Sequence, residues 1–245
     1  MKRIAVFCVT YNSDKELERY EASLSKATEK AKGEVELDIF VAHNTREDNP
    51  GYFGGISRQM EKVDTEAYDY CILSNVDLTV EEDFFTKLAD YECGEYTGWI
   101  APQIWSQLEG RDRNPGRTER PSLKKLQMLR TFYRYPFLDT LYRHTFYRRK
   151  KYQSHPAGSI YAGHGSFIIL TRKYFEQSGK INYPVFLFCE ELFLAESCRQ
   201  NGLKVEYVPT LRINDSEHAS IGKISHGTYC QYNHKAISYI IKTFY

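Results

Sequence analysis

The sequence has no apolar run close to the roughly 20 residues that a membrane-spanning helix needs. It has almost no net charge, only +1 at pH 7, which excludes a nucleic-acid-binding polycation as a description of the whole chain. None of its six cysteines forms a pair with the spacing of a zinc site. No secretory signal precedes the first strand-like segment, so we expect a cytoplasmic protein in a reducing compartment.

A chain of 245 residues, of which 42% are hydrophobic, can bury a substantial core, which excludes a disordered protein. We expect a single domain over residues 1–245. The charge is uneven, because residues 117–152 contain eleven Lys and Arg but two acidic residues. This composition divides the chain into three parts: a first part at 1–105, a basic and aromatic insert at 106–155, and a last part at 156–245.

Apolar runs alternate with segments of helical periodicity. The runs that predict the first four strands are 4–9, 37–43, 68–77 and 99–105. This alternation is typical of an α/β protein with a mostly parallel central sheet flanked by helices. Ligands of such sheets bind at the carboxyl ends of the strands. The polar residues at three of these ends are Thr10-Tyr11-Asn12, His43-Asn44-Thr45 and Asn75-Val76-Asp77.

Asp77 closes the third strand and would direct a carboxylate into the ligand crevice. Mg²⁺ takes oxygen ligands and often links one or two carboxylates to phosphates. With Asn75, this Asp therefore indicates a site for a divalent cation beside a diphosphate. The alternative is a turn or a helix N-cap, where Asn and Asp are common.

Two adjacent acidic residues, Glu190 and Glu191, follow an apolar segment and open a helix. Such a pair can supply a general base and a residue that positions it. The alternative is that both acids stabilise the first turn of the helix through its dipole.

A glycine-rich turn leads into the second helix through Asn49, Gly51 and Gly55. Glycine lets the backbone approach a ligand closely. Arg58 lies one helical turn beyond Gly55 and could reach a phosphate, although it could also lie on a solvated helix face.

The order of these motifs is more specific than any one of them. The chain resembles the family-two glycosyltransferases, and most closely their bacterial polysaccharide-producing branch of rhamnosyl- and galactofuranosyl-transferase-like enzymes. The resemblance runs from about residue 4 to 220, and the motifs that carry it are VTYNS, NPGYFGGISR, ILSNVD, GSFIIL, FLFCEELFLAE and YVPTLRINDSEHAS. It implies a GT-A fold, a nucleotide-diphospho-sugar donor, Mg²⁺ or Mn²⁺, and inversion at the anomeric carbon.

The resemblance also implies roles for particular residues. Those that match the donor-binding positions of the family are Thr10, Tyr11, Asn12, Asn44, Asn49, Gly51 and Gly55. Asn75 and Asp77 match the metal-binding D-x-D position. Glu190 and Glu191 match the acidic pair, whose second member acts as the base. Residues 1–105 would then hold the donor, and 156–245 would form the acceptor and catalytic half.

The chain departs from the family pattern at three places. Glu191 stands where relatives usually have Asp, so its carboxylate reaches one methylene further. Phe193 replaces a later Asp. Asp215 falls where many members have a metal-linked His, which leaves Asp215 and His218 as alternative third metal ligands; His218 could equally be a surface residue.

The basic insert suggests a partner. Between its cations lie many aromatic rings, and Leu123, Leu126, Leu129 and Phe132 would form one stripe of an amphipathic helix. We expect the insert to meet an anionic membrane surface or a glycan acceptor linked to a polyprenyl diphosphate. The alternative is a solvated surface or an oligomer contact.

Two other functions remain as alternatives. A sugar-1-phosphate nucleotidylyltransferase would carry a glycine-rich, Arg-containing loop directly after the first strand, and VTYNSDKE contains no glycine. A nucleic-acid-binding protein would use the basic, aromatic insert to bind single strands. That function would leave the acidic pair and Asp77 incidental, so we expect no nucleic-acid partner.

Overall fold

A computed structural model of the chain describes residues 1–145, 154–216 and 224–245. Its strands are β1 (Lys2–Thr10), β2 (Val35–His43), β3 (Tyr70–Asn75), β4 (Leu78–Val80), β5 (Thr97–Ser106), β6 (Arg111–Asp112), β7 (Gly158–Ile160), β8 (Phe167–Thr171) and β9 (Lys204–Asp215). Its α-helices are α1 (Asp14–Lys30), α2 (Tyr52–Met60), α3 (Phe84–Asp90), α4 (Leu123–Arg134), α5 (Pro136–Thr145), α6 (Arg172–Ser178), α7 (Glu190–Gln200) and α8 (His226–Phe244). A short 3₁₀ helix spans Thr65–Ala67.

The strands form one sheet in the order β2-β1-β3-β8-β5-β9-β4, with β6 beside β5 and β7 beside β9. The five long strands that point the same way are β1, β2, β3, β5 and β9. Parallel strands therefore predominate, and helices cover both faces of the sheet. The predicted α/β architecture is confirmed.

Each face of the sheet carries its own hydrophobic core, because side chains alternate along a strand. In β1, Ile4 and Val6 pack toward α1 and α3, whereas Ala5 and Phe7 pack toward α2 and the C-terminal helices. All four side chains are fully buried. A strand of this kind, apolar on both faces, reads as a continuous hydrophobic run, as the sequence of β1 does.

Strand β8 runs antiparallel to both of its neighbours, β3 and β5. Its residues are buried throughout. The last part of the chain thus supplies a strand to the centre of a sheet whose other central strands come from residues 1–105. The two parts share one sheet and one pair of cores.

The described part of the insert packs on the C-terminal helix. Leu126 of α4 is 1% exposed, and Leu129 also packs against the core beneath α8. Two residues of the expected membrane-facing stripe are therefore occupied by contacts within the protein. On α5, by contrast, Phe137 is 68% exposed and Leu141 is 55% exposed.

A buried carboxylate fastens the start of the insert to α7. Glu196 is fully buried, and its Oε1 accepts hydrogen bonds from Arg120 Nε and the Tyr161 hydroxyl, each at 2.6 Å. Burial alone would raise the pKa of Glu196, but the hydrogen bonds from Arg120, Tyr161 and Arg199 outweigh it and lower that pKa below its usual value. The insert is thus anchored before α4 begins.

Among residues 1–145, 154–216 and 224–245, no helix has both the length and the apolar character needed to cross a membrane.

Candidate functional site

The polar ends of the three parallel strands lie side by side, as predicted. Thr10 pairs with His43 of β2, and the residue before Thr10 pairs with Asn75 of β3. Thr10 is 3% exposed, and its hydroxyl has no hydrogen-bond partner among the residues the structure describes. A buried polar atom without a partner is rare, and at a ligand-binding edge it is a group that a bound ligand or water can satisfy.

The residues just beyond β1 are open to solvent. Tyr11 is 38% exposed. Asn12 is exposed as well, and its φ of 52° places it in the left-handed region that Asn tolerates better than most residues. Tyr11 and Asn12 are therefore accessible at the strand ends, whereas Thr10 is covered.

The predicted donor-binding asparagines form a closed hydrogen-bonded turn. Asn44 Nδ2 donates to Asn49 Oδ1 at 3.1 Å and to the Gly51 carbonyl at 3.2 Å. Asn49 Oδ1 also accepts from the Gly51 backbone N–H at 3.0 Å. The side chains of Asn44 and Asn49 thus fix the shape of the turn, so what the turn presents to a ligand is its backbone.

Two glycines of this turn leave no room for a side chain. A methyl group on Gly55 would lie 3.1–3.3 Å from Val9, Asn44 and Ala42. A methyl group on Gly51 would lie 1.9 Å from the carbonyl oxygen of Phe186, and Gly51 has a φ of +84°. The turn therefore packs directly against the backbone that leads to the acidic pair.

We expect Gly51→Ala to lower the free energy of unfolding by about 1–3 kcal/mol more than Gly33→Ala, because only Gly51 adds overlap to backbone strain. Gly33 is a matched control, since its φ is +83° but a methyl group there meets nothing within 4 Å. Urea denaturation of the two variants measures the difference. Equal losses of unfolding free energy in the two variants would show that the overlap with Phe186 does not destabilise the protein.

Arg58 is engaged at the surface. Its Nη1 donates to both carboxylate oxygens of Asp48, at 2.8 and 2.7 Å, and both side chains are more than half exposed. An exposed ion pair of this kind contributes little to stability and can exchange partners. Arg58 is thus available to a phosphate only if it leaves Asp48.

The acidic pair begins α7 after two residues with left-handed backbone. Phe188 has a φ of 74° and Cys189 a φ of 63°, a conformation that non-glycine residues adopt only when their surroundings enforce it. Two hydrogen bonds to the backbone of Phe188 hold this conformation. The Tyr183 hydroxyl donates to the Phe188 carbonyl at 2.5 Å, and the Phe188 N–H donates to Glu190 Oε1 at 3.0 Å.

The two carboxyl groups differ in their surroundings. Burial, together with the charge of Glu191, raises the pKa of Glu190 to about 8. Burial also raises the pKa of Glu191, whereas its own backbone N–H and Arg117 act to lower it. Glu190 is 8% exposed and Glu191 is half-buried, so Glu191 is the more accessible of the two.

The loop that begins the GSFIIL motif joins the acidic pair to β3, a role that the sequence did not assign to it. Ser166 accepts a hydrogen bond from the Asn75 N–H at 2.9 Å, and a methyl group on Gly165 would lie 3.9 Å from Glu191 Oε2. His164 Nδ1 lies 2.9 Å from the Ser166 hydroxyl. The two glycines around His164 interrupt a strand pattern, and that interruption was the available signal for the loop.

Tyr52 is a second residue that sequence reasoning missed. Its hydroxyl is buried and has no hydrogen-bond partner within the described ranges. Burial raises its pKa well above the usual value, and the charges of Glu190 and Asp77 add to the effect. The charges of Glu190 and, to a smaller extent, Asp77 thus act on the same buried hydroxyl.

Arg117 is a third. It was expected to belong to the membrane-facing insert, but its positive charge acts on Glu191. Its backbone pairs with Ala162, with N–H···O distances of 2.8 and 3.0 Å. The first residue of the basic stretch therefore lies close enough to the acidic pair for its charge to act on Glu191.

Asp77 is half-buried and lies against the end of β9. Its backbone carbonyl accepts a hydrogen bond from the Ser216 hydroxyl at 3.0 Å. Asp215 pairs in register with Leu78, the next residue after Asp77. Asp215 is 3% exposed, and its Oδ2 lies 3.0 Å from Arg113 Nη1, so its charge is balanced by an arginine. His218 lies outside the described residues.

The donor set at this edge suits a hard divalent cation. Asp77 offers a carboxylate and Asn75 an amide oxygen, and Mg²⁺ commonly takes one or two such ligands with phosphates and waters completing the shell. The unpartnered Thr10 hydroxyl adds a further oxygen at the same edge.

No protein-family model matches the chain, and no curated protein matches it. Solved structures do. GalNAc-T7 in complex with UDP, GalNAc and Mn²⁺ superposes with a TM-score of 0.54 at 14% identity, over 90% of this chain and 45% of that one. S. aureus TarS residues 1–349 gives 0.53 at 11% identity, over 88% of this chain and 60% of that one.

A Drosophila beta1,4galactosyltransferase 7 catalytic domain in complex with xylobiose is also similar, with a TM-score of 0.47 at 14% identity over 84% of this chain. The chain spans 65% of that domain. Together with the sheet order, the two comparisons above 0.5 show that the chain has the GT-A fold of nucleotide-sugar glycosyltransferases.

Proposed function

We propose that the protein transfers a sugar from a nucleotide-diphospho-sugar to a glycan acceptor, with inversion at the anomeric carbon and with the help of Mg²⁺ or Mn²⁺. The observation that carries this proposal is the segment Gly165-Ser166, which lies between the end of β3 and the start of α7. The Ser166 carbonyl accepts a hydrogen bond from the Asn75 N–H at 2.9 Å, and a methyl group on Gly165 would lie 3.9 Å from Glu191 Oε2. The strand end that carries Asp77 and the acidic pair would thus border one site. The GT-A fold supports the same reading.

The donor would occupy the edge formed by β1, β2 and β3. Thr10 and the backbone of the Asn44–Gly51 turn would bind the nucleotide, and the exposed ring of Tyr11 would cover its base. Asn12 and Arg58 would complete the donor contacts, Arg58 by moving from Asp48 to a phosphate. Asp77 and Asn75 would hold the cation, which neutralises the charge of the leaving diphosphate. Asp215 and His218 remain candidates for the third protein ligand.

Glu191 would act as the general base in a single displacement. It takes the proton of an acceptor hydroxyl, the oxygen forms a bond to the anomeric carbon, and the bond from that carbon to the diphosphate breaks. Glu191 suits this task because it is the more exposed residue of the pair and because the burial of its carboxyl group raises its pKa. Glu190 would position it, since Glu190 is the more buried and is bound to the Phe188 N–H.

The competing functions find less support. In a nucleotidylyltransferase the loop after β1 would surround phosphates with glycine backbone, but this loop consists of Tyr11, Asn12 and Ser13. A single-strand-binding protein would need its basic residues turned to solvent. Two of these residues are engaged within the protein, since Arg120 is held by Glu196 and the charge of Arg117 acts on Glu191, whereas Lys124, Lys125 and Arg134 are exposed.

Thermal denaturation of the full chain with UDP-, GDP- and dTDP-linked hexoses and deoxyhexoses, with and without Mn²⁺, tests the proposal. One class of nucleotide sugar should raise the Tm, and more so with Mn²⁺; saturation at 100 times the Kd corresponds to about 2.7 kcal/mol. If no nucleotide sugar raises the Tm with either cation, the proposed donor is wrong. A stabilising deoxyhexose donor would favour the rhamnosyltransferase-like branch.

We also propose that the acceptor is linked to a polyprenyl diphosphate and that the insert meets the anionic membrane that carries it. The exposed Phe137 and Leu141 on α5 support this surface, and they replace the buried Leu126 and the partly buried Leu129 of the stripe expected from the sequence. Polysaccharide synthesis at the inner face of a membrane would follow. The basic run Arg148–Lys151 lies outside the described residues.

Wild-type protein should sediment with anionic vesicles at low salt and be released at high salt. Phe137→Ser combined with Leu141→Ser should bind several-fold less. Leu108→Ser is the matched control, because Leu108 is 80% exposed but lies in the β5–β6 turn. If the double variant sediments as well as the control, α5 does not contact the membrane.

A further inference from the structure

A second group of metal-binding side chains lies between α5 and α8. Asp139 of α5 faces His226 and Cys230 of α8, and one possible ligand atom from each lies within 4.8 Å of the other two. His226 Nε2 is 2.9 Å from Asp139 Oδ2 and 3.5 Å from Cys230 Sγ. The remaining distance, from Cys230 Sγ to Asp139 Oδ2, is 4.0 Å.

The positions of these residues favour a built site over a chance surface group. His226 and Cys230 are four residues apart on one helix, so their side chains share a face. Asp139 is 4% exposed and Cys230 is fully buried, whereas His226 is exposed and closes the group from the solvent side. The buried carboxylate of Asp139 is already paired with the His226 ring, so the histidine and the carboxylate are held together before any metal binds.

The triangle of ligand atoms nearly fits a tetrahedral zinc ion. With ordinary bond lengths, such an ion separates a nitrogen ligand from an oxygen ligand by about 3.3 Å, and a sulfur ligand from either by about 3.6 Å. The observed separations are 2.9 Å for N–O, 3.5 Å for S–N and 4.0 Å for S–O. Side-chain movements of about 0.4 Å would bring all three to bonding positions.

We propose that Asp139, His226 and Cys230 bind Zn²⁺, with a fourth position left for water or another ligand. The ligand chemistry separates this site from the one at Asp77. Thiolate and imidazole suit zinc, whereas carboxylate, amide and phosphate oxygens suit Mg²⁺ and Mn²⁺. No pair of cysteines marks this site in the sequence, where its signal is His226 and Cys230 at helical spacing.

The site has a structural consequence close to the acidic pair. Tyr229, the neighbour of Cys230, contacts the ring of Phe188 with centroids 5.1 Å apart, and also the ring of Tyr133 at 5.9 Å. Phe188 is the first of the two left-handed residues before Glu190. By joining α5 to the first turn of α8, zinc would hold Tyr229 against that strained segment.

Metal content is the direct test. The full chain is freed of metal with a chelator, dialysed against equal concentrations of Zn²⁺ and Mg²⁺, and analysed for bound zinc per chain. We expect about one zinc, and Co²⁺ in its place should show the sulfur-to-cobalt charge-transfer band that a thiolate ligand produces. If the wild-type chain retains no zinc, the proposal is wrong.

Variants identify the ligands. His226→Ala should weaken zinc binding about 100-fold or more and is the safest change, because His226 is exposed. Cys230→Ser should abolish the cobalt band. Cys93→Ser is the matched control for a thiol elsewhere, and Asp77→Ala controls for the oxygen site; both should bind zinc as wild type does. Unchanged zinc binding in a folded His226→Ala would overturn the assignment.

Discussion

Glu191→Gln is expected to lower kcat by about 10²- to 10⁴-fold while leaving the affinity for the donor nearly unchanged. Glutamine keeps the shape of the side chain but cannot take up a proton, so the loss belongs to the transition state. The measurement is initial-rate kinetics with the donor identified by thermal stabilisation, together with the Tm shift that this donor produces. The wild-type rate should also fall as the pH decreases through a pKa higher than that of an ordinary glutamate, because burial raises the pKa of Glu191.

Glu190→Gln is the matched control for this prediction, because it changes the neighbouring carboxyl of the same helix turn. We expect a smaller loss of rate, since Glu190 is the more buried of the two and accepts a hydrogen bond from the backbone of Phe188. A wild-type rate in Glu191→Gln combined with a large loss in Glu190→Gln would transfer the role of base to Glu190.

Asp77→Ala is expected to abolish the part of donor binding that depends on the divalent cation. Asp77 is the carboxylate at the end of β3, so its removal leaves the cation with neutral protein ligands at that strand end. The Tm of the variant should not respond to the nucleotide sugar plus Mn²⁺, and turnover should become undetectable at Mn²⁺ concentrations that saturate the wild type.

Glu82→Ala controls for the loss of one negative charge near β4, because Glu82 is exposed. It should behave like the wild type. Asp215→Asn tests whether Asp215 is the third metal ligand. Because Asp215 also pairs with Arg113, a loss of turnover in this variant would reflect the loss of the ion pair as well as the loss of a ligand. Normal turnover of Asp77→Ala without added cation would show that Asp77 does not bind a catalytic metal.

The sequence predicted the features that depend on local pattern. Continuous apolar runs located β1, β3 and β5, and the polar residues that follow gave the strand ends at Thr10, His43 and Asn75. The acidic start of α7 was also predicted within its observed bounds. Each of these features is set by residues close together in the chain, which is why pattern alone was sufficient.

What could not be predicted depends on contacts between distant residues. An apolar run does not carry a direction, so nothing in Phe167–Thr171 indicated that β8 runs antiparallel between β3 and β5. The amphipathic pattern of α4 predicted a stripe of apolar side chains. It did not indicate that α8 would cover Leu126 of that stripe. The nearness of Arg117 to Glu191 likewise depends on chain positions more than 70 residues apart.

The central place of β8 also constrains the order in which the chain can fold. A nascent chain that ends at residue 105 contains β3 and β5 but lacks the strand that hydrogen-bonds to both. Two apolar strands would then present open edges, which are templates for pairing with other chains. The sheet can close only after residue 171 has been synthesised.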